Sequence, residues 1–180
     1  MNSSSLHFNR DQHFQDLISH IEEKDPEDIQ VPQNYSKILR DYQVQGFKWL
    51  KTMSEYGFGG ILADDMGLGK TLQVIALLCA EYEREVDKPS LIVTPSSLVF
   101  NWQAEFERFA PHLRVLTMTG TVSERSKKLS TLNNYDVILT SYDLLRRDIK
   151  EYEAAFKYVI LDEAHYIKNQ RHKMRKAVKN

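Results

Sequence analysis

The sequence predicts an α/β domain with a mostly parallel central sheet and helices on both of its faces. Short apolar runs alternate with helical patterns from residue 61 onward, and this alternation is typical of right-handed βαβ crossovers. The chain of 180 residues is 42% hydrophobic and 27% charged, which is close to the composition of globular domains. No apolar run approaches the roughly 18 residues that a membrane span needs, so we expect no membrane association.

The individual elements follow from apolar spacing and from glycine and proline breaks. Two helices are predicted before the alternation, at 13–23 and 41–54, and Asp25-Pro26 ends the first of them. Gly57, Gly59 and Gly60 then interrupt the chain before the first strand. The predicted strands are 61–63, 91–93, 115–118, 137–139 and 158–161, and the helices between them are 70–84, 97–109, 123–132 and 142–147.

Charge divides the chain unevenly although the net charge is only −1. Residues 1–38 lean acidic, and we interpret them as an N-terminal helical extension and linker ahead of a domain at 39–180. The stretch 168–179 carries six Lys and Arg residues and no acid. Such a run is usually a solvated helix face, and the alternative is a patch that faces phosphates.

Cysteine use and the N-terminus indicate the compartment. The only cysteine, Cys79, can form neither an intrachain disulfide nor a multi-cysteine zinc site. Residues 1–10 lack the basic start and apolar segment of a signal peptide. We therefore expect a cytoplasmic protein, associated with the nucleoid in a bacterium or archaeon and nuclear in a eukaryote.

The segment from Asp64 to Thr71 has the residues of a phosphate-binding loop between a strand and a helix. Gly67 and Gly69 allow the backbone N–H groups to face a phosphate, and the helix N-terminus adds positive potential. Lys70 would reach the β- and γ-phosphates and the Thr71 hydroxyl would hold Mg²⁺. The strict pattern has glycine where Asp64 stands, and the alternative is a glycine turn with an incidental lysine.

Two adjacent carboxylates, Asp162 and Glu163, directly follow the apolar run 158–161. Carboxylates at the end of a buried strand are costly unless a cation or proton chemistry uses them. Asp162 would bind Mg²⁺, and Glu163 would orient and deprotonate the attacking water. An acidic helix start is the alternative for an isolated Asp-Glu pair. In combination with the phosphate loop, the pair indicates nucleoside triphosphate hydrolysis.

These two segments resemble the first helicase motif and the DEAH box (Asp162 to His165) of superfamily two ATPases. Other segments are similar to those of the Swi/Snf-like branch, whose members are double-stranded DNA translocases and chromatin-remodelling motors. They are Leu39 to Gln43 with Gly46, Trp49 and Leu50, the run Leu91 to Trp102, the run Asp136 to Leu144, and Ile167 to Asn169 after the DEAH box. The resemblance extends over about residues 39–179 and implies a three-layer, RecA-like P-loop lobe.

The resemblance implies ATP and Mg²⁺ as cofactors and assigns roles to individual positions. Gln43 would read the adenine edge with both amide groups, in a pocket shaped by Arg40 and Tyr42. His165 would couple the site to a second lobe. The complete implied set is Lys70, Asp162 and Glu163 for catalysis, Thr71 and Asp162 for metal, and Arg40, Tyr42, Gln43, Asp65, Met66, Gly67, Leu68, Gly69, Lys70, Thr71 and His165 for nucleotide.

Double-stranded DNA is the implied partner. Hydroxyl and backbone donors can follow phosphates without a net positive charge. The implied DNA contacts are Thr94, Ser96, Trp102, Gly120, Thr140 and Ser141. The residues themselves leave Trp102 equally open to packing inside the domain. We expect Trp49 and Cys79 to be core residues and the charged cluster at 125–128 to be solvated.

Members of the family have two RecA-like lobes with ATP between them. This chain stops soon after the DEAH box, so we expect an incomplete first lobe whose partner is the second lobe of the intact protein. An arginine finger contributes about 10³ to 10⁵ in rate, so the isolated chain is expected to be a nearly inactive monomer. The alternatives are a strand-separating DEAH-type helicase acting on DNA or RNA and a non-catalytic ATP- or DNA-binding module.

Overall fold

The computed structural model describes residues 29–63, 68–82, 88–152 and 156–166. They contain one sheet of four parallel strands: β1 (Ser90–Thr94), β2 (Val115–Thr117), β3 (Val137–Ser141) and β4 (Val159–Leu161). The predicted strands after residue 90 are therefore confirmed, each to within two residues at either end. The predicted helix at 13–23 and the basic stretch at 168–179 lie outside the described residues.

Five α-helices accompany the sheet in the described part of the chain. They are α1 (Asp41–Glu55), α2 (Lys70–Tyr82), α3 (Val99–Phe109), α4 (Val122–Leu129) and α5 (Tyr142–Asp148), with short 3₁₀ turns at Ser96–Leu98, Leu132–Asn134 and Ile149–Glu151. None of the described helices is long and apolar enough to cross a membrane.

The strand order β2-β3-β1-β4 makes β1 an interior strand that pairs with both β3 and β4. In this register Val93 pairs with Leu161, and Thr94 pairs with Ser141. Because the strands are parallel, their carboxyl ends meet at one edge of the sheet, where side chains that follow the strands come together. Asp162 is the first residue after β4, so it lies at that edge.

Residues alternate between two hydrophobic clusters along the strands, as period-two strands require. Ile92 belongs to a cluster that also contains residues of α1, α2 and α3, such as Phe47, Ile75 and Phe106. Its neighbours in β1 pack on the opposite face with Tyr142 and Leu145 of α5. Helices therefore cover both faces, and the predicted three-layer α/β/α architecture is confirmed.

The strand predicted at 61–63 is wrong, because these residues lie outside the sheet. Ile61 is 86% exposed. Three apolar residues that follow three closely spaced glycines gain too little burial to offset the entropy of ordering the backbone. The segment instead lines a groove beside Tyr42 and Trp49, and Gly60 lies under the Trp49 ring. Trp49 is 39% exposed, so the expectation of a core tryptophan is also wrong.

Tyr35, in the segment before α1, is built into the core. It is 1% exposed, and its hydroxyl donates to the carbonyl of Phe109 at 2.7 Å and lies 3.0 Å from the Cys79 sulfur. Cys79 is buried, as predicted. Part of the segment that we interpreted as a linker thus packs with the domain, since Tyr35 belongs to this cluster and Ile29 and Val31 pack against it.

A buried ion cluster ties α1, α2 and the start of β4 together at the amino end of the sheet. Glu81 of α2 forms salt bridges with Lys51 of α1 and with Lys157, which precedes β4. Lys51 and Glu81 are both less than a tenth exposed. Burial alone would raise the pKa of Glu81, but hydrogen bonds from Lys157 and Lys51 lower it to about 2.

The lowered pKa of Glu81 predicts a loss of stability in acid. The carboxylate stabilises the fold fully above its ordinary pKa of 4.5 and stops doing so as the pH falls to about 2. We expect this group to contribute roughly 3 kcal/mol to the free energy of unfolding, lost across that window. Urea denaturation at several pH values measures it.

Two variants make this measurement specific. In Glu81→Gln the contribution is absent at every pH, so the acid slope is shallower and the stability at pH 7 is lower. The exposed Glu107 provides the control, because Glu107→Gln should keep the slope of the unsubstituted chain. Equal slopes in all three proteins would contradict the assignment.

Candidate functional site

Two side chains at the start of α1 hold the end of the predicted phosphate loop. The Tyr42 hydroxyl donates to the carbonyl of Leu68 at 3.2 Å, and Gln43 Nε2 donates to the same oxygen at 3.1 Å. Gln43 Oε1 accepts from the backbone N–H of Arg40 at 3.0 Å. Both amide groups of Gln43 are therefore engaged with the protein, and Gln43 itself is buried.

Gly69 permits this contact in two ways. Its φ of +72° lies in the left-handed region, which favours glycine. A Cβ at this position would lie 2.3 Å from Gln43 Nε2, so any side chain would push the amide away. The carbonyl of Gly69 then accepts from the N–H groups of Leu72 and Gln73 and begins α2.

Lys70 and Thr71 are the first two residues of α2, where the helix dipole favours an anion. Asp65, Met66 and Gly67, the preceding residues of the predicted loop, lie outside the described residues. Hydrogen bonds bring the adenine-side residues Tyr42 and Gln43 together with the end of the loop. The acidic pair belongs to a second group of contacts at the end of β4.

Asp162 is the centre of the second group. Its Oδ2 accepts hydrogen bonds from the Thr94 hydroxyl at 3.0 Å and from the Trp102 indole N–H at 2.8 Å. Its backbone N–H donates to the carbonyl of Val93 at 2.9 Å, which extends the β1–β4 ladder by one residue. The carboxylate is thus held at the end of β4 by side chains from β1 and α3.

Glu163 follows in a left-handed backbone conformation with φ of +51°. This conformation is unfavourable for a residue with a side chain and is often found at functional sites. Glu163 Oε2 lies 3.1 Å from His165 Nδ1, and both side chains are partly exposed. The turn therefore directs the two carboxylates differently: Asp162 is fixed against α3, and Glu163 pairs with His165.

Tyr142 is a site residue that the sequence analysis did not identify. Its hydroxyl donates to the carbonyl of Asp162 at 2.7 Å, and its ring stacks on Tyr166. Burial, followed by the charges of Asp162 and Glu163, raises the pKa of Tyr142 to about 12, so the hydroxyl remains a donor at neutral pH. The only signal was its place in the Thr140-Ser141-Tyr142 segment, which gives no indication of a partner 20 residues away.

A groove of about 400 Å³ opens at the carboxyl ends of β1, β2 and β3. Ser96, Gly120 and Ser141 line it, together with the exposed ring of Phe100 and the side chain of Arg147. Three of the six predicted DNA contacts therefore share one surface. Phe100 lies inside the run Leu91 to Trp102 but was not chosen as a contact, and Arg147 was missed because it lies three residues beyond the run Asp136 to Leu144.

The other three predicted DNA contacts have buried side chains, and so does Ser141 of the groove, which is 3% exposed and accepts from the N–H of Leu144. Thr94 and Thr140 are 0% exposed and Trp102 is 4% exposed. Thr94 and Trp102 direct their donors to Asp162, so these side chains are not available to a strand in the groove. For Trp102 the packing alternative is the one that the structure supports, with an added hydrogen bond to the acidic turn.

The expectation of a solvated charged cluster at 125–128 is wrong for Arg125 and holds for the exposed Lys127. Arg125 is 4% exposed and forms two hydrogen bonds with Asp148 of α5, at 2.6 and 2.9 Å. Its third contact is to the carbonyl of Gly120 at 2.7 Å. Lys128 donates to the carbonyls of Thr117 and Thr119. Arg125 and Lys128 thus donate hydrogen bonds to backbone carbonyls of the segment 117–120, which leads into the groove.

Oxygen ligands for a magnesium ion come only in part from this chain. The described residues contain no group of three or more His, Cys, Asp or Glu side chains that could hold a metal. Mg²⁺ is normally bound by one or two protein oxygens together with water and substrate phosphates. In the described part of the chain Asp162 Oδ1 has no hydrogen-bond partner. This carboxylate oxygen and the Thr71 hydroxyl are suitable ligands for a Mg²⁺ ion that binds together with a nucleotide.

A glycine-bounded loop at a helix N-terminus, and an Asp-Glu turn at the carboxyl end of a parallel strand, define an α/β nucleotide-binding domain of the RecA-like class. The family model of the SNF2-related domain matches residues 42–180. The chain therefore belongs to the SNF2-related family.

Curated relatives and solved structures agree with this assignment. An uncharacterized ATP-dependent helicase of Mycoplasma genitalium is 43% identical over 84% of the chain, and the TATA-binding protein-associated factor mot1 of Schizosaccharomyces pombe is 42% identical over 86%. The chain spans only 15% and 9% of these proteins. The SWI2/SNF2 ATPase core of Sulfolobus solfataricus in complex with dsDNA matches with a TM-score of 0.73 and 44% identity, over 84% of this chain and 32% of that one.

Gly69→Ala is predicted to destabilise the domain through two separate costs, and a control variant can distinguish them. The substitution places a side chain at positive φ, which costs about 1 kcal/mol, and it removes the Gln43 contact, which costs about 1 kcal/mol more. Gly57 has a similar φ of +69° with nothing near its would-be Cβ. Gly57→Ala should therefore show the first cost alone. Equal losses of unfolding free energy would contradict the role of Gln43.

The backbone of Glu163 leads to a prediction about stability. Glu163→Gly and Glu163→Ala both remove the carboxylate, but only glycine relieves the left-handed conformation. We expect Glu163→Gly to be more stable than Glu163→Ala by about 1 kcal/mol. Chemical denaturation of the two variants measures this difference. A more stable alanine variant would show that the turn carries no strain.

Proposed function

We propose that this chain is the ATP-binding first lobe of an ATP-dependent translocase that moves along double-stranded DNA. The observation that carries the proposal is the acidic turn, where Asp162 is held at the end of β4 while Glu163 points elsewhere. One carboxylate with a fixed orientation and one that is separately directed suit a metal ligand and a general base, respectively.

On the nucleotide side, the Lys70 ammonium and the N-terminal amides of α2 bind the phosphates, and Gly69 lets the backbone before α2 approach them. The Thr71 hydroxyl and Asp162 would hold Mg²⁺, which would neutralise charge on the phosphates. Glu163 accepts the proton of the attacking water, and the nearby His165 keeps its carboxylate oriented. Hydrolysis yields ADP and phosphate.

Adenine selection is assigned to Gln43 with Tyr42 and Arg40. Gln43 donates to Leu68 and accepts from Arg40 in this structure, so reading a base requires its amide to exchange partners. The same residue then links base recognition to the phosphate loop, because Leu68 is released when the base is bound. An amide that presents both a donor and an acceptor distinguishes adenine from guanine.

The groove beside β1, β2 and β3 is the proposed DNA surface. The exposed Ser96 offers a hydroxyl group, Gly120 allows close approach of the backbone, and Arg147 adds a positive charge. Such donors follow phosphates without reading base sequence, as a translocase requires. The related Sulfolobus core was solved in complex with dsDNA. The second lobe of the intact protein would provide the remaining contacts and the arginine fingers.

A strand-separating helicase is the second candidate, because relatives of this chain are named ATP-dependent helicases. A strand-displacement assay on the intact protein distinguishes the two activities. Translocation without displacement supports our proposal, and displacement of a complementary strand supports the helicase.

The nucleotide site is tested by ATP binding to the 180-residue chain in the presence of Mg²⁺. We expect Lys70→Ala to lose ATP affinity by at least tenfold, because a charge-assisted contact to phosphate contributes about 1.5 to 3 kcal/mol. Lys127→Ala is the matched control, since this lysine is exposed on α4 away from the site. Equal affinities of the two variants would refute the phosphate role of Lys70.

Turnover is measured on the same proteins with and without duplex DNA. The isolated chain should hydrolyse ATP near background, because an arginine finger contributes about 10³ to 10⁵ in rate. Glu163→Gln should bind ATP normally and abolish any turnover that is seen. DNA-stimulated turnover that survives in Glu163→Gln would refute the general-base assignment.

A further inference from the structure

Asp162 is restrained on three sides by groups from three different elements. Thr94 of β1 and Trp102 of α3 both donate to its Oδ2, and Tyr142 of α5 donates to its backbone carbonyl. A carboxylate with two donors on one oxygen cannot rotate without breaking a hydrogen bond. The direction of the other oxygen, Oδ1, is therefore set by the protein before any ligand binds.

Trp102 provides the more rigid of the two donors to Oδ2. The indole N–H has only one direction for a given ring orientation, whereas the Thr94 hydroxyl rotates about its C–O bond. The ring is 4% exposed and packs at a tilt on Phe106, with 6.1 Å between centroids. Its 2.8 Å bond to a carboxylate is charge-assisted, and such bonds are roughly twice as strong as neutral ones.

We propose that Trp102 is a positioning residue for nucleotide-bound magnesium. By holding Oδ2 of Asp162, the indole N–H directs Oδ1 toward the metal position, with Thr94 as its second support. This inference rests on the proposed function, because the metal arrives with ATP. Groups that orient metal ligands commonly change metal affinity or activity by about 10- to 100-fold when they are removed.

The test compares ATP affinity in Mg²⁺ with ATP affinity in EDTA. Trp102→Phe keeps an aromatic ring against Phe106 but removes the donor. We expect the Mg²⁺-dependent gain in affinity to fall roughly tenfold in this variant, while the affinity in EDTA stays unchanged. Thr94→Val, which keeps the shape of the strand residue, should act in the same direction. Thermal melting of each variant verifies that it is folded. If Trp102→Phe does not fold, the result for Thr94→Val decides the test.

Trp49 supplies both the control and a spectroscopic signature. Trp49→Phe removes the only other tryptophan and should leave the Mg²⁺-dependent gain intact. In that background Trp102 is the sole indole, and its emission should change when Mg²⁺ and ATP are added together but not when ATP is added in EDTA. Asp162→Asn in the same background should abolish this response.

The outcomes separate the two proposals. If the unsubstituted chain does not bind ATP, the proposed nucleotide site and this inference are both refuted. If the chain binds ATP and Trp102→Phe retains the full Mg²⁺-dependent gain, only the positioning role is refuted. An equal loss of affinity with and without metal would also refute it, because that result indicates a packing defect.

Discussion

The pairing of β1 with β4 determines where the chemistry of this domain can occur. Val93 lies opposite Leu161, and the ladder continues to the N–H of Asp162. A slip of one residue would turn every side chain of β4 to the other face of the sheet. Asp162 would then leave Thr94 and Trp102, and the carboxylate would lose both donors. The site depends on this register more than on any single contact.

Two helices connect the acidic turn to the groove. The N-terminal part of α3 lines the groove with Phe100, and two residues later Trp102 reaches Asp162. In α5, Tyr142 reaches the same residue while Arg147 lines the groove. A ligand that displaces either helix therefore also displaces the surroundings of Asp162. The proposed DNA and nucleotide sites are therefore built partly from the same two helices, α3 and α5. Coupling between the sites requires no long chain of intervening residues.

The sequence was sufficient to predict the layers, the parallel sheet and the strands after residue 90, because alternating apolar runs have few other interpretations. It was also sufficient to place Asp162 at a strand end. It could not identify Trp102 as the partner of Asp162, since the two are 60 residues apart and meet only through the rotation of α3. Motif context suggested a DNA contact for Trp102, whereas in the structure its side chain is buried and donates to Asp162.

Arg125 and the segment 61–63 show two other limits of sequence patterns. A charged cluster is solvated in most proteins, and the buried partner Asp148 lies 23 residues away in another helix. Three apolar residues form a strand only if a neighbouring strand is available to pair with them. The three residues themselves do not show whether such a neighbour exists. The positive φ of Glu163 is likewise set by the turn, since Glu has no preference for it.

The ion cluster of Lys51, Glu81 and Lys157 lies at the amino end of the sheet, away from the groove and the acidic turn. Its interactions are governed by desolvation, and the cost of desolvating ions falls as temperature rises. Because the cluster touches none of the proposed ligand sites, substitutions there can change heat tolerance without altering ATP or DNA contacts. Heat tolerance can thus be tuned at this end of the sheet separately from the proposed ATP and DNA contacts.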